Sequence, residues 1–406
     1  MPTLFDPTDP ATLRDPYETF ALMRKEGPVH WVPSLKAWVA VDWDSVQAVV
    51  TNPTVFSANR VLPVYGRLKE PDKATAADVL RWLSLWMVFQ DPPNHTRLRR
   101  HLAQVINPKM SETLRVPIEE IATDLLDHLP ADQTFDFYED FALKMPGFVV
   151  MDLLGVPRDH LDEVKEWADE MMLFIGSARG VEDKYGRARH GAESMAELFR
   201  GLIADRQATP RDDLLTKLIA SEVDGETLTD DELIASMMMI GNGAQETTAH
   251  LLTNSLLALK EKPDTLKRLS DDRDGLIVTA VEEFLRYDGP VLATGRIVVA
   301  DTELGGQHLA EGDRVFAMLA AANRDPVVFE NPDEIALEGR PNGHLAFSKG
   351  VHFCLGAPIA RIEAQVAIGE IVRRFPDYSI PEPVGEIEWS NSLVTRGPTR
   401  LPLRLS

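Results

Sequence analysis

Residues 229–262 read as one long helix. Thr229 and Glu232 form a capping box at its start, in which each side chain satisfies an orphan backbone amide of the other. Pro263 bounds the far end. About 32 residues at 1.5 Å rise make a rod of roughly 48 Å, long enough to cross a whole domain. The apolar part, 236–259, is interrupted by Asn242, Gln245, Glu246 and His250 and is too polar for a simple membrane span.

The rest of the chain is consistent with a mainly helical body. Apolar residues at spacings of three and four predict helices over 116–129, 141–154, 160–175, 187–206 and 214–221. Shorter helical patterns cover 17–25 and 44–50. Pro117 is tolerated in the first turn of its helix, where its missing N–H has no partner to lose. Strand character is confined to three stretches. Residues 30–42 read as a β-hairpin, 293–323 as short strands around glycine turns, and 378–405 as strand and turn. The predicted fold class is mainly α with small β-sheets (α+β), helix-rich over about 78–290. Length alone suggests two or three domains at about 150 residues each. With no internal repeat and no linker, the expectation is one domain over 1–406.

Charge and cysteine usage exclude several functions. A net charge of −22 argues against non-specific nucleic-acid binding and against an anionic membrane surface. The start, MPTLFDPTDPATLRDPYE, has neither a basic nor an apolar signal region, so a cytoplasmic protein is expected. A single cysteine, Cys354, excludes an intrachain disulfide and any multi-cysteine zinc or iron–sulfur site.

Cys354 lies in AFSKGVHFCLGAPIARIEAQVAIGEIVRRF. Ile359, Ile362, Val366 and Phe375 mark an amphipathic helix after it. Gly350, Val351 and His352 before it carry little to obstruct a flat ligand. Cys354 therefore stands just ahead of a helix N-terminus, where free N–H groups and the helix dipole stabilise a thiolate. Gly356 lets backbone approach a ligand closely. A lone cysteine is also compatible with a buried, inert thiol, because free cysteine is among the most buried residue types.

The surrounding residues add a resemblance. FSKGVHFCLG, with Phe347, Gly350, His352, Cys354 and Gly356, resembles the haem-binding loop of the cytochrome P-450 family, F-G-x-G-x-H-x-C-x-G. Ser348 stands where glycine is usual. Three further segments match. Glu283 and Arg286 supply an E-x-x-R pair on one helical face, with Arg340 at the position of a third arginine. GAQETT, residues 243–248, matches the oxygen-side helix pattern through Gly243, Glu246 and Thr247, with Ala244 in place of glycine. DPPNHTRLRRHL resembles the segment that binds haem propionates through His95 and Arg99, and Arg296 and His352 match other propionate positions.

The resemblance implies a haem b cofactor with Cys354 thiolate as the axial iron ligand and dioxygen as co-substrate. It implies that Thr247 and Glu246 serve the oxygen side as hydrogen-bond donor and proton relay. Electrons would come from a ferredoxin or flavodoxin and its reductase, docking on the cysteine side near Arg97, Arg100, Lys349 and Arg361, a local basic patch on an acidic chain. The substrate pocket would use the 60–90 loop, 170–190, Ile240, Gly243, Ala244, Val291, Leu292, Thr294 and Leu393, with Thr294 and Ser392 as polar handles. That lining favours oxidation of a hydrophobic small molecule, in secondary metabolism for example. Arg60 and Arg67 in that loop offer a contact for a substrate carboxylate, although lone arginines in such a loop are usually solvent-facing. Two other readings suit the same motifs: a peroxide-driven or non-redox haem-thiolate enzyme, and a non-catalytic haem sensor.

Overall fold

The computed structural model of the chain describes every residue except 1–4, 7–8, 131–132, 176–180, 339–342 and 406. Arg340 lies outside the described residues. Contacts divide the chain into two compact units that alternate along the sequence. The first comprises Met1–Phe56, Ser111–Pro146 and Glu246–Ser406, the second Ser57–Met110 and Gly147–Gln245.

The first unit is organised around the helix Glu246–Glu261, whose residues from Thr248 to Leu259 are all buried. A helix buried on every face belongs to the centre of a core. The helices Arg115–Asp127, Arg273–Asp288 and Ala357–Arg374 belong to the same unit. The expected hairpin is present as Val29–Val32 paired antiparallel with Ala37–Ala40, Trp31 opposite Trp38. It continues into a five-stranded sheet through Arg314–Ala317, parallel to Ala37–Ala40, and Thr294–Val298, antiparallel to Arg314–Ala317. Val29, Ala40, Val298, Val315 and Ala317 alternate onto one buried face with Val46, Val49 and Val50 of the helix Trp43–Thr51. The strand character expected near the C-terminus is sparse: Pro402–Arg404 pairs with Thr134–Asp136, and the rest is isolated bridges.

The second unit is helical, built mainly from Asp72–Leu83, Asn94–Val105, Leu161–Met172, Lys184–Ala208 and Asp230–Ala244. Leu161–Met172 and Lys184–Ala208 lie close because Gly191 allows it: a Cβ there would sit 2.3 Å from the Trp167 carbonyl oxygen. Buried Glu170 fastens the pair, bonded to Arg187 at 3.1 Å and His190 at 2.7 Å.

Two expected helices are cut short. Residues 141–154 were expected as one helix, but a π-type turn covers Tyr138–Ala142 and the α-helix runs Lys144–Leu154. Pro146 explains this: it lacks the N–H for Ala142 and its ring clashes with that carbonyl, whereas near a helix start neither matters. The 229–262 rod is likewise two helices, Asp230–Ala244 and Glu246–Glu261, separated at Gln245. Gly241 and Gly243 each weaken helix by about 1 kcal/mol relative to alanine. Asn242 also anchors away from its own helix, donating to the Ala168 carbonyl at 3.2 Å. The capping box at Thr229 and Glu232 is present as expected. Among the described residues no helix is long and apolar enough to cross a membrane.

Candidate active site

The loop before Cys354 is fixed by backbone bonds. Ser348 N–H donates to Leu345 O at 2.8 Å, Cys354 N–H to Phe347 O at 3.0 Å, and Leu345 N–H to the Asn323 side chain at 2.7 Å. Gly350 takes φ +70°, and a Cβ there would press to 3.3 Å of Thr51 Cα. The thiol ends up exposed, just ahead of the helix Ala357–Arg374, whose N-cap is Gly356. Of the two readings of a lone cysteine, the buried and inert one is thereby removed. First-turn amides and the helix dipole favour the thiolate at this place. Phe347 carries the Arg361 guanidinium 4.6 Å above its ring and meets Phe353 edge-on at 6.3 Å.

Arg361 also anchors the loop through buried Glu282, at 2.6 and 2.9 Å, and His344 joins at 3.2 Å. Burial pushes the Glu282 carboxyl up, but the hydrogen bonds from His344 and Arg361 outweigh it and hold the pKa at about 2. A carboxyl depressed from 4.5 contributes stability that is full above about pH 4.5 and lost as pH falls through 2. Glu282→Gln is expected to cost on the order of 2 kcal/mol at neutral pH and to flatten the acid limb of the stability curve. Urea midpoints between pH 2 and 7 check this; parallel curves for both proteins would contradict it.

Ser348, the departure from the usual glycine, has φ +60°. Its hydroxyl oxygen is enclosed and makes no hydrogen bond among the described residues. A left-handed conformation costs a residue with a Cβ roughly 1–2 kcal/mol. Ser348→Gly is therefore expected to raise stability by about 1 kcal/mol after the added chain entropy of glycine. A urea midpoint that stays level or falls would show that the loop carries no such strain.

The E-x-x-R pair is fully internal. Arg286 grips Glu283 at 3.1 and 2.9 Å and spends its remaining donors on the carbonyls of Pro332, Glu334 and Asn323.

On the helix Glu246–Glu261, the Glu246 side chain is 43% exposed, accepts from Thr395 at 3.3 Å and lies 3.8 Å from His250 Nδ1. Thr247 is half-buried beside it. The next residue, Thr248, is buried and donates at 3.0 Å to Glu363, on the helix after Cys354. Glu363 is 4% exposed, and burial, opposed by the Thr248 bond, moves its pKa up to about 7. This carboxyl escaped the sequence reading. Its signal was a glutamate four residues after Ile359, on the apolar stripe of an amphipathic helix.

Arg296 is buried and donates at 2.8 Å both to Thr294 Oγ1 and to Gly295 O, so Thr294 serves the arginine first. Leu292 lies in the hydrophobic core with Leu393 packed against it, and Val291 packs against the sheet core. In the second unit, His95 is buried and Arg99 half-buried, one turn apart on the helix Asn94–Val105. Ile240 and Ala244 are half-buried. Gly243 is exposed, and a Cβ there would meet nothing within 4 Å. The cations expected as a basic patch mostly bring acids with them. Arg97 pairs with Glu232, Arg100 with Asp224 and Arg361 with Glu282, while Lys349 bonds the neutral Gln47 amide at 2.6 Å.

The donor chemistry fits a thiolate-bound haem. One accessible sulfur sits at a helix N-terminus, next to an aromatic loop, and buried Arg296 of the same unit is a cation of the type that carboxylates require. Among the described residues no group of three or more His, Cys, Asp or Glu could hold a metal ion.

Comparison with known proteins agrees. The Cytochrome P450 family profile matches residues 54–383. Cytochrome P450 monooxygenase PikC of Streptomyces venezuelae is 35% identical over 400 residues, 96% of this chain and 91% of that protein. The vitamin D(3) 25-hydroxylase of Pseudonocardia autotrophica is 32% identical over 398 residues, covering 97% and 94%. Among solved structures, the bacillaene polyketide synthase cytochrome P450 PksS of Bacillus subtilis superposes with a TM-score of 0.87 at 30% identity, covering 99% and 100%. The chain belongs to the cytochrome P450 family. It is a monooxygenase of that family, which implies a haem-thiolate cofactor, dioxygen, redox partners and a small-molecule substrate.

Proposed function

We propose that the chain is a single haem domain that oxidises a hydrophobic small molecule of secondary metabolism. The electrons come from a ferredoxin or flavodoxin through its reductase. The observation that carries this reading is the single, exposed Cys354 thiol held at a helix N-terminus by the Phe347–Cys354 backbone bond. Cys354 is assigned as the iron ligand, within the loop of Phe347, Gly350, His352 and Gly356. His95, Arg99, Arg296 and His352 are assigned to the haem propionates. A haem held by the Cys354 thiolate would supply the oxygen-activating chemistry.

The chain's own part is proton supply and positioning. Thr247 offers a hydroxyl that holds a water on the oxygen side. Glu246, part-exposed and steadied by Thr395, moves protons in from solvent. Glu363, with a pKa of about 7, is suited to hold a proton at Thr248, one residue further on. Ile240, Gly243 and Ala244 are assigned to the substrate side, together with Val291, Leu292, Thr294 and Leu393. The last four act mainly through the backbone and core they shape. The electron donor is assigned to the cysteine side, near Arg97, Arg100, Lys349 and Arg361. Because three of these four cations are paired, steering of an acidic donor is weaker than four bare charges give, and Lys349 contributes most. The test is a screen of hydrophobic compound classes for spin-state shifts of the haem, followed by turnover with a ferredoxin and reductase. A binder converted to an oxygenated product is expected; binders that are never oxidised despite electron delivery would refute the reading.

A further inference from the structure

Among the polar residues that interrupt the apolar stretch 236–259 is His250, which the oxygen-side motif does not use. It follows Glu246 by one turn on the helix Glu246–Glu261, the spacing that puts two side chains on one face. Its Nδ1 stands 3.8 Å from Glu246 Oε1. That is longer than a hydrogen bond but short enough for one charge to govern the other group's ionisation. The two ends differ in access: the His250 side chain is 1% exposed and that of Glu246 43%. A solvent proton therefore meets the carboxylate first and the imidazole second.

The imidazole is held in place from two sides. Its ring stacks on Tyr138, centroids 5.7 Å apart and planes 25° from parallel. Elsewhere the backbone passes so close that a Cβ at Gly397 would overlap the ring. That stretch is itself pinned, with Arg396 N–H donating to Pro290 O at 2.8 Å and Ser390 N–H to Gly397 O at 2.9 Å. The Thr395 hydroxyl donates at 3.3 Å to the same Glu246 oxygen that approaches His250. All these residues belong to the first unit.

We infer that Glu246 and His250 form a linked proton-holding pair. The carboxylate collects protons from solvent, and the buried imidazole keeps one in reserve at Nδ1. Burial disfavours the imidazolium and the adjacent carboxylate favours it, so the two effects oppose each other. When Glu246 gives up its proton, transfer from His250 Nδ1 restores the acid and leaves a neutral imidazole; one solvent proton then refills the pair. Other ionisable groups nearby are the Tyr138 phenol on the π-type turn, Arg396 beside Gly397, whose guanidinium is turned to Asp288 at 2.7 Å, and Glu363, which meets the same helix at Thr248. His250 acts through Glu246 and is a positioning residue. The inference deepens the reading of Glu246 as the group that brings protons in, and rests on it.

The test follows the imidazole itself, by NMR titration of isotope-labelled histidines in the haem-loaded, reduced, carbon-monoxide-bound protein. The His250 resonance is the one lost in His250→Asn. It is also recognisable by its contact with the Tyr138 ring, so the titration stands even if that variant does not fold. A midpoint between about pH 5 and 8 is expected. In Glu246→Gln, which keeps the size of the side chain, the midpoint should fall by about one pH unit or more, the effect of losing an opposite charge at this range. Product per electron pair in wild type should drop as pH rises through the same midpoint, because the reserve empties, and His250→Asn should lack that step. A His250 that does not titrate in this range, a midpoint unmoved in Glu246→Gln, or a step that survives in His250→Asn would overturn the pair. The two readings fail separately. Full coupling in Glu246→Gln removes Glu246 as the relay, whereas an unmoved midpoint removes the pair and leaves the relay.

Discussion

Cys354→Ala protein is expected to fold and to oxidise nothing. The chain has no second thiol that could take over the ligand position. The loop is held by backbone bonds from Ser348 and Cys354 and by the conformation of Gly350, none of which needs the sulfur. Electron-dependent product formation should fall below detection, with the helical circular dichroism unchanged. Cys354→Ser keeps size and polarity but not the soft, electron-rich donor, and should be equally inactive. Product formation at the wild-type rate in either variant would mean that the chemistry does not pass through this residue.

Thr247→Ala should separate electron use from product. The substitution removes one hydroxyl and leaves a good helix former in its place. Electron consumption should stay within about threefold of wild type. Product per electron pair should fall roughly tenfold or more, part of the ~10²–10⁴ that a positioned proton donor contributes. Hydrogen peroxide should account for the difference, and Thr247→Ser should restore most of the coupling. Full coupling in the alanine variant would take Thr247 out of the oxygen side and leave Glu246, with Thr248 and Glu363, as the proton groups.

The cysteine loop was legible in sequence because its constraints are local. A lone thiol, a glycine that must take positive φ at 350 and an apolar stripe after it fall within a dozen residues. The E-x-x-R pair was legible for the same reason, since Glu283 and Arg286 share a helix face. What could not be read was long-range. Arg97 meets Glu232 across 135 positions and Arg100 meets Asp224 across 124, so two cations that look bare along the chain are paired in space. The break at Gln245 falls where the family resemblance implies a locally widened helix around Gly241 and Gly243; what could not be read is the anchor of Asn242, which binds a carbonyl 74 residues away. The helix Asp72–Leu83 falls partly in what reads as the 60–90 loop, although Ala76, Val79 and Leu83 keep helical spacing. Thr294 was taken for a substrate handle, and only the structure shows Arg296 using it first.

Cys354 is the residue assigned to hold the iron of a haem through its thiolate. The absorption spectrum of the reduced, carbon-monoxide-bound protein tests that assignment most directly, recorded for wild type beside Cys354→Ala at equal haem content. The thiolate-type band is expected in wild type, with its complete loss in the variant. A wild-type spectrum without that band, or an unchanged band in Cys354→Ala, would contradict it.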